Sequence, residues 1–530
     1  MIHVIAPGTE HLTAQVVTSA LQRSCGWGSA SAGSIALADP AMAQSPGDRV
    51  YVFIHPREEW TPTLLHLLDV GAKVLLLGRM TTGLAQRLQV RLAHEWPQGW
   101  AQGTLCPPAP LHAITESAAQ VTYPAAAPQV AGRRPALGRR PFRRHDYADE
   151  WNNLGYGAIT ADGTCWSIAQ HATVLPEQEL ARVDIAGVFL CSYAGLWDLP
   201  ASSLLWFNRA AGPSDSQEWR MVEDFLSCHR ADRLPCVPVL SEIPEGFDAA
   251  VTMRLDCDED VESARPLHEL YLSENVPFSL ALHSRVLADP RHHRLPHEVL
   301  RQGGAILSHT ATHAPNWGGS HSAALDEGRI SASIIEDCTG YRVRYAVSPF
   351  HQTPIYARAG LADAGYRGCI GGIIHNDPDF LMARSGMPPG SGPGFIGHSQ
   401  QCMLHGDCLL EGTDPLRVFR QAFDIAKTGG AFFGYLDHPF SERYTYGWTS
   451  EEQRVSVHRE FIAHIRATGG RVLWVNENDA MDFLTDRAHT RLHATADGWQ
   501  LQRSQTLSPW RLSVRYRSQH HAVDQIATLA

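Results

Sequence analysis

Several familiar signals are missing from this sequence. Its eleven cysteines are an odd number, are scattered, and include no CxxC pair, which favours reduced thiols over a disulfide scaffold. No stretch approaches the roughly 20 apolar residues that a transmembrane helix requires. The N-terminus lacks the basic start and the apolar run of a signal peptide. These absences predict a cytoplasmic protein without a membrane span.

Basic charge is also scarce overall. The formal net charge is −11, which argues against general nucleic-acid binding. A hydrophobic content of 44% and a charged content of 19% over 530 residues are typical of a globular protein with large cores. This length predicts two to four domains.

The first half of the chain has the pattern of an α/β domain. Within residues 1–100, predicted strands at 2–6, 49–55 and 73–77 alternate with predicted helices at 10–23, 62–70 and 82–92. This alternation favours an open parallel sheet. These 100 residues contain no GxGxxG and no P-loop. Residues 149–247 add further α/β signal, with strands at 155–159, 165–168 and 183–191 and a helix within 214–228. We therefore expect residues 1–245 to form one flavodoxin-like or amidotransferase-like domain, with an insertion at 104–148.

Two features of this half allow alternative interpretations. Six arginines lie between Arg133 and Arg144, which is typical of a solvated linker but also suits peripheral contact with anionic lipid headgroups or a sugar pyrophosphate. Cys191 follows the predicted strand 183–191, as an amidotransferase nucleophile would. The G-x-C-x-G spacing of such a nucleophile is absent, so a buried structural cysteine is favoured.

The strongest chemical signal lies between residues 251 and 313. An apolar strand ends in Asp256 and Asp258, and a later apolar run ends in His309 and His313. Between them we expect a helix at 261–273 and a loop. If the two histidines lie on one side of a helical turn, two imidazoles and one carboxylate suit zinc with an open position for water. The second carboxylate is then free to act as a base.

These residues resemble the NodB-homology polysaccharide deacetylases, also called carbohydrate esterase family 4. Asp256-Cys257-Asp258 is similar to a D-x-D variant of the first family motif, and the run from His309 to His313 matches the second, H-[ST]-x-x-H. The resemblance covers roughly residues 248–486. It implies a distorted (β/α) barrel at 246–486, with Asp256 as catalytic base and Asp258, His309 and His313 as metal ligands.

The third family motif, R-x-P-[YFW], is incomplete in this chain. Pro349 and Phe350 match its last two positions, whereas Val347 stands where the arginine belongs. We expect Arg254 or Arg344 to supply the missing cation beside Asp256. The resemblance also implies the main-chain N–H of Phe350 as an oxyanion donor.

Of the last two family motifs, the fourth is ambiguous in this chain and the fifth is recognisable. Residues 375–380 and 395–407 are both candidates for the fourth motif, although surface loops are favoured for them. The apolar run 431–436 followed by Asp437 and His438 resembles the fifth. It implies that His438 protonates the leaving amine, with Asp437 or Asp256 orienting its ring.

Further residues are expected to line the pocket. Aromatic side chains beside a catalytic strand end often stack on sugar rings, but they are equally common as core or lid residues. The expected substrate contacts are Arg254, Pro349, Phe350, His351, Asp437, Tyr446 and Trp448.

The sequence thus predicts a metal-dependent deacetylase that acts on an N-acetylated amino sugar, a precursor of a surface polysaccharide or glycan. Zinc is the expected metal, with cobalt, nickel or manganese also compatible. A deformylase or other amide hydrolase, and a non-catalytic carbohydrate-binding or scaffold protein, remain alternatives. Residues 487–530 alternate as strands and are expected to form a small β appendage without chemistry of its own.

Overall fold

In the part of the chain that it describes, the structure, a computed structural model, contains two large sheets and three small ones. It describes residues 2–26, 50–100, 119–133, 139–141, 163, 165, 167–213, 216–372, 384–392, 394–400, 402–412, 414–441, 444–495 and 498–528. No helix within these ranges is both long enough and apolar enough to cross a bilayer.

The first large sheet is parallel in one half and antiparallel in the other. Its eight strands lie in the order β1-β2-β3-β10-β9-β8-β5-β6. The strands of residues 2–240 are β1 Ile2–Ile5, β2 Val50–Ile54, β3 Lys73–Leu77, β4 Arg91–Leu92, β5 Ala119–Thr122, β6 Arg139–Pro141, β7 Ala172–Thr173, β8 Glu179–Ile185, β9 Val188–Asp198, β10 Ser203–Phe207 and β11 Val239–Leu240. The helices are α1 His11–Cys25, α2 Thr61–Asp69, α3 Thr82–Arg87 and α4 Ser216–Ser227.

The predicted strands and helices of residues 1–100 are found in place, except that the helix predicted at 82–92 ends at Arg87 and Arg91–Leu92 form β4. The expectation of a parallel sheet is only half right. β1, β2, β3 and β10 are parallel to one another. β9, β8, β5 and β6 add to them in antiparallel fashion. Such pairs need only a short turn between strands, whereas parallel pairs need a crossover.

The predicted single strand at 183–191 is in fact a hairpin. Ile185 pairs with Val188 across a two-residue turn in which Ala186 and Gly187 have φ of 50° and 76°. Positive φ at both turn positions is the type I′ geometry that matches strand twist. Cys191 therefore lies inside β9 and not at a strand–helix turn. It is buried, and burial raises the pKa of its thiol, as expected for a structural cysteine.

Other predictions for this region have mixed outcomes. Of the predicted strand at 165–168, residue 166 lies outside the described residues, and Ile168 makes an isolated bridge to Arg209. The predicted strand at 155–159 and most of the segment from Arg133 to Arg144 lie outside the described residues, so contact of that segment with anionic material stays a prediction.

The second large sheet is parallel throughout. Its strands are β12 Ala249–Cys257, β13 Ser279–Leu282, β14 Ala305–Ser308, β15 Tyr345–Val347, β16 Gly368–Gly372, β17 Ile396–Gln400, β18 Cys402–Met403, β19 Phe433–Asp437 and β20 Val472–Trp474. The accompanying helices are α5 Arg265–Ser273, α6 Arg294–Arg301, α7 His321–Thr339, α8 Ile355–Asp363, α9 Arg417–Gly429, α10 Glu451–Ala467 and α11 Glu477–Ala488. β13 lies between β12 and β14, where we expected only a loop.

The two end strands of this sheet are neighbours in the chain. β17 pairs with β16, and β18 pairs with β19. In the sequence, a single residue separates β17 from β18, so strands at opposite ends of the strand order follow each other in the chain. The arrangement fits the predicted (β/α) barrel, in which functional side chains collect at the carboxyl ends of the strands.

Strand alternation decides which residues of β12 enter the barrel. Met253, Leu255 and Cys257 pack outward in the large apolar cluster shared with the helices. Arg254 and Asp256 have the opposite parity, so they point inward. The acidic end of β12 therefore opens into the barrel.

The far end of the barrel is filled by α11 and the C-terminal tail. The tail contains β21 Thr490–Thr495, β22 Gly498–Arg503, β23 Ser513–Tyr516 and β24 Gln519–Ala522. β23 pairs with β11, so the tail extends a strand of the first region. Inward residues of the barrel share one apolar cluster with α11 and the tail, including Ala250, Leu307, Ile396, Phe432, Met481, Leu484, Leu512 and Val514.

Candidate active site

Three predicted ligands converge above the barrel. Nε2 of His309 and Nε2 of His313 each lie 3.4 Å from Oδ1 of Asp258. The two nitrogens are 3.1 Å apart. The buried Oδ1 of Asp258 accepts no hydrogen bond of ordinary geometry from the described residues. One carboxylate and two imidazoles thus direct donor atoms at a common point.

The spacing of these atoms fits a tetrahedral metal ion. Ligand atoms at zinc bond lengths of 2.0–2.1 Å are separated by about 3.3–3.4 Å. Nδ1 of His309 lies 3.2 Å from the main-chain oxygen of Val347. An Nδ1–H donated to this carbonyl leaves the Nε2 lone pair free for a metal, the usual arrangement for a ligating histidine. The residue at the position of the missing arginine therefore supports a ligand through its main chain.

The ligand pair is held by a loop and not by the helical turn that we expected. Thr310 and His313 both have positive φ, 68° and 54°. Glu327 of α7 fixes this loop, because its Oε2 accepts the N–H groups of Ala311 and Thr312 at 2.9 Å each. Its Oε1 accepts the hydroxyl of Thr312 at 2.6 Å. Strained backbone held by the surrounding structure is common at functional sites.

Asp256 is the second carboxylate of the site and is fully paired. Nε of Arg254 donates to its Oδ1 at 2.6 Å and Nη2 to its Oδ2 at 3.2 Å. Burial alone would raise the pKa of Asp256, but Arg254, with His309 and His438, outweighs burial and lowers this pKa to about 2. Arg344 instead pairs with Asp482 at 2.8 Å. Of the two candidates for the missing cation, Arg254 is the one beside Asp256.

His438 lies on the other side of Asp258, with its Nε2 3.8 Å from Oδ2 of that carboxylate. Its Nδ1 is 2.8 Å from Nε2 of His405. Tyr446 stacks on the imidazole of His438 with ring centroids 4.3 Å apart, and its hydroxyl donates to Oδ2 of Asp258 at 3.3 Å. The ring of His438 is thus fixed on its edge and on its face.

Asp437 does not orient that ring, contrary to our expectation. Its Oδ1 accepts the main-chain N–H of His438 at 2.8 Å, and its Oδ2 is 3.0 Å from Nε2 of His458. Arg454 lies 3.6 Å from the same oxygen. Both oxygens of Asp256 accept hydrogen bonds from Arg254, so Asp256 does not orient the ring either. The ring nitrogen of His438 pairs with His405, which lies in the candidate fourth motif at 395–407 but was not given a role there.

Five of the seven expected substrate contacts are buried, and three of these support other groups of the site. Arg254 and Asp437 are 0% exposed and Trp448 is 2% exposed. The indole N–H of Trp448 points at Oδ1 of Asp437 over 3.4 Å. These side chains support Asp256 and the strand end at His438 from within, and they do not present a surface to a substrate.

The remaining expected contacts lie beside the ligands. Phe350 is 40% exposed, and its ring centroid is 4.8 Å from that of His313. Pro349 and His351 are buried next to it. Burial and the charge of Arg254 lower the pKa of His351 to about 3, so this imidazole is neutral. Phe350, His351 and Tyr446 all have positive φ, which adds to the strained positions around the site.

The fourth motif can be followed in part. Residues 375–380 lie outside the described residues. The stretch 395–407 is not the surface loop that we favoured, since Phe395, His398, Cys402 and His405 are buried. Its HxxxxxxH spacing carries no recognisable motif. Only the pairing of β18 with β19 brings His405 to the site.

Comparisons with known proteins find solved structures that are similar to 44–47% of the chain. Neither a protein-family model nor a curated protein matches the chain. Several of the matching solved structures are CE4 deacetylases. A peptidoglycan N-acetylglucosamine deacetylase catalytic domain from Eubacterium rectale is 14% identical with a TM-score of 0.30, over 44% of this chain and 91% of that one.

Two other matches differ in their described activity. Puue allantoinase is 12% identical over 47% of this chain and 92% of that one, with a TM-score of 0.36. A CE4 family pseudoenzyme from Bacillus anthracis is 14% identical over 46% and 67%, with a TM-score of 0.29. These likenesses are too weak to assign an activity, and the function proposed below rests on the side-chain geometry of the site.

Proposed function

We propose that residues 246–486 form a metal-dependent amide hydrolase that removes the acetyl group from the nitrogen of an amino sugar. The observation that carries this proposal is the spacing of Asp258, His309 and His313. Their three donor atoms lie 3.1–3.4 Å apart, at the corners that a tetrahedral ion requires. Asp256 and His438 flank them as a base and an acid.

Each residue has a definite task in this reaction. A divalent ion on Asp258, His309 and His313 would polarise the amide carbonyl and make water a better nucleophile. Asp256, ionised at neutral pH, takes one proton as the water oxygen adds to the acyl carbon. His438 protonates the nitrogen through Nε2 as the C–N bond breaks. The products are acetate and a free amine, and both residues regain their starting protonation from solvent.

Exposed aromatic side chains support a sugar substrate. Phe350 stands beside His313, and Tyr444, which is 44% exposed, lies 6.2 Å from the ring of Tyr446. Such rings offer flat apolar faces with few polar groups, as carbohydrate pockets often do.

The first test is metal content, measured by elemental analysis together with acetate release. Wild type should hold about one equivalent of zinc or a similar divalent metal and release acetate from at least one member of a panel of N-acetylated sugars. The double variant His309→Ala, His313→Ala should lose both. His321→Ala is the matched control, because His321 pairs with Asp363 on the surface at 2.9 Å and should keep both.

Each alternative function gives a distinct result. Release of formate from N-formyl sugars, or turnover of non-sugar amides, without acetate release would favour a different amide hydrolase. A folded wild-type protein that takes up no metal on reconstitution would refute the hydrolase and leave a carbohydrate-binding or scaffold role.

A further inference from the structure

His405 contacts the side chain of His438 although the two are 33 residues apart. Met403 of β18 pairs in parallel with Leu436 of β19. His405 and His438 each follow this pair by two residues in the chain, so the register brings them side by side. Their imidazoles meet with Nε2 of His405 2.8 Å from Nδ1 of His438. This is hydrogen-bond distance, and one of the two nitrogens must carry the proton.

The surroundings favour a neutral His405. It is buried, and burial, with the charge of His438, lowers the pKa of His405 to about 3. Tyr446 packs against both imidazoles, with centroids 5.0 Å from His405 and 4.3 Å from His438. A neutral imidazole with its proton on Nδ1 offers Nε2 as an acceptor.

The neighbouring carboxylate is occupied by other groups. Oδ1 of Asp437 lies 3.6 Å from Nε2 of His405, beyond hydrogen-bond distance, and accepts the main-chain N–H of His438. Its other oxygen faces His458 and Arg454. Arg454 also donates to the main-chain oxygen of His438 at 2.6 Å. Asp437 and Arg454 therefore fix the backbone of His438, while His405 fixes its ring.

We propose that His405 is a positioning residue that accepts the Nδ1–H of His438, so that His438 directs its Nε2–H at the departing nitrogen. This inference rests on the proposed function. An imidazole can donate a proton from Nε2 and remain a stable neutral ring only if Nδ1 keeps its own proton. His405 supplies the acceptor for that second proton and selects the ring orientation in which Nε2 faces Asp258.

The role predicts a dependence on the leaving group. An amine must be protonated as it departs, whereas p-nitrophenolate leaves without a proton. His405→Leu should lower kcat for the best N-acetyl sugar of the panel by about 10²-fold, the size of a lost general acid. The same variant should hydrolyse p-nitrophenyl acetate within about threefold of wild type, because metal ligands and base are untouched. KM for the sugar should change little.

Three further variants make the test specific. His405→Gln retains an acceptor oxygen near the position of Nε2 and should recover part of the lost amide rate. In a His438→Ala background, adding His405→Leu should cost nothing more, since residues that act as a unit are not additive. His398→Leu removes another buried imidazole of the barrel, one that contacts the main-chain oxygen of Phe432, and should leave the amide-to-ester ratio at the wild-type value.

Four results would overturn the inference. Equal losses on amide and ester would assign His405 a merely structural role. A further loss in the His438→Ala background would show that it does not act through His438. Loss of a metal equivalent in His405→Leu would make it a ligand. If the wild type hydrolyses no amide, both the proposed function and this inference are refuted. If the wild type is active but the variants lose amide and ester hydrolysis equally, only this inference is refuted.

Discussion

Glu223 joins three parts of the chain through one buried carboxylate, and its removal should be unusually costly. It belongs to α4 in the first half of the chain and is buried. Its oxygens accept from the hydroxyl of Ser24 at 2.8 Å, from Nε and Nη2 of Arg384 at 2.9 Å each, and from Nη2 of Arg515 at 2.5 Å. Arg384 comes from the barrel half and Arg515 from the tail.

The loss of folding stability expected for Glu223→Gln follows from the charges of Glu223, Arg384 and Arg515. Burial by itself raises the pKa of Glu223, but Arg384 and Arg515 outweigh it and lower the pKa from 4.5 to about 2. Such a fall favours the ionised form by about 3 kcal/mol. Removing one partner of a buried ion pair, which leaves the other uncompensated, typically costs about 3–5 kcal/mol. We therefore expect Glu223→Gln to lower the free energy of unfolding by about 3–5 kcal/mol.

The assay is urea unfolding at pH 7, followed by circular dichroism and tryptophan fluorescence, with coincident transitions as the check on two-state behaviour. Glu59→Gln is the control, because the Glu59 pair with Arg57 is exposed at 3.3 Å and is expected to contribute at most about 1 kcal/mol. A loss below about 1 kcal/mol for Glu223→Gln would refute the reasoning.

The pH dependence gives a second check on the same group. Because its folded pKa lies below its unfolded value, the stabilisation from Glu223 is complete above about 4.5 and is lost as pH falls through about 2. The difference in the free energy of unfolding between wild type and Glu223→Gln should therefore decrease as the pH is lowered from about 4.5 to about 2. A difference that stays constant over this range would show that the carboxylate charge is not the cause.

Two further predictions concern the candidate site. Arg254→Met removes the cation that keeps the buried Asp256 ionised, so kcat/KM for an N-acetyl sugar should fall at least about 10²-fold while metal content is retained. The control is Arg344→Met, which breaks the separate pair with Asp482. Wild-type turnover in Arg254→Met would contradict the role. Glu327→Ala frees the loop that carries His313 and should weaken metal affinity by about 10–100-fold in a chelator competition assay. The control is Glu336→Ala: Glu336 is also on α7 but forms an exposed pair with Arg342, so metal affinity should not change. Equal affinities of the two variants would refute the anchoring role.

The sequence by itself determined the chemistry of the site. Asp256, Asp258, His309, His313 and His438 each follow a recognisable apolar run, and each lies at or just beyond a strand end of the barrel. Strand periodicity explains why Arg254, one of the two expected cations, shares a face with Asp256, because residues two apart on a strand point the same way. Local patterns of this kind depend only on neighbours in the chain.

Tertiary structure decided everything that depends on register and long-range packing. The short strand β13 was missed because its four residues carry too little pattern. His405 reaches His438 only through the pairing of β18 with β19, and Glu327 reaches the ligand loop only because α7 packs beside it. Asp437 and Trp448, expected at the pocket surface, are buried because the residues around them close over that strand end. Contacts between distant segments are set by the whole core, and no local signal encodes them.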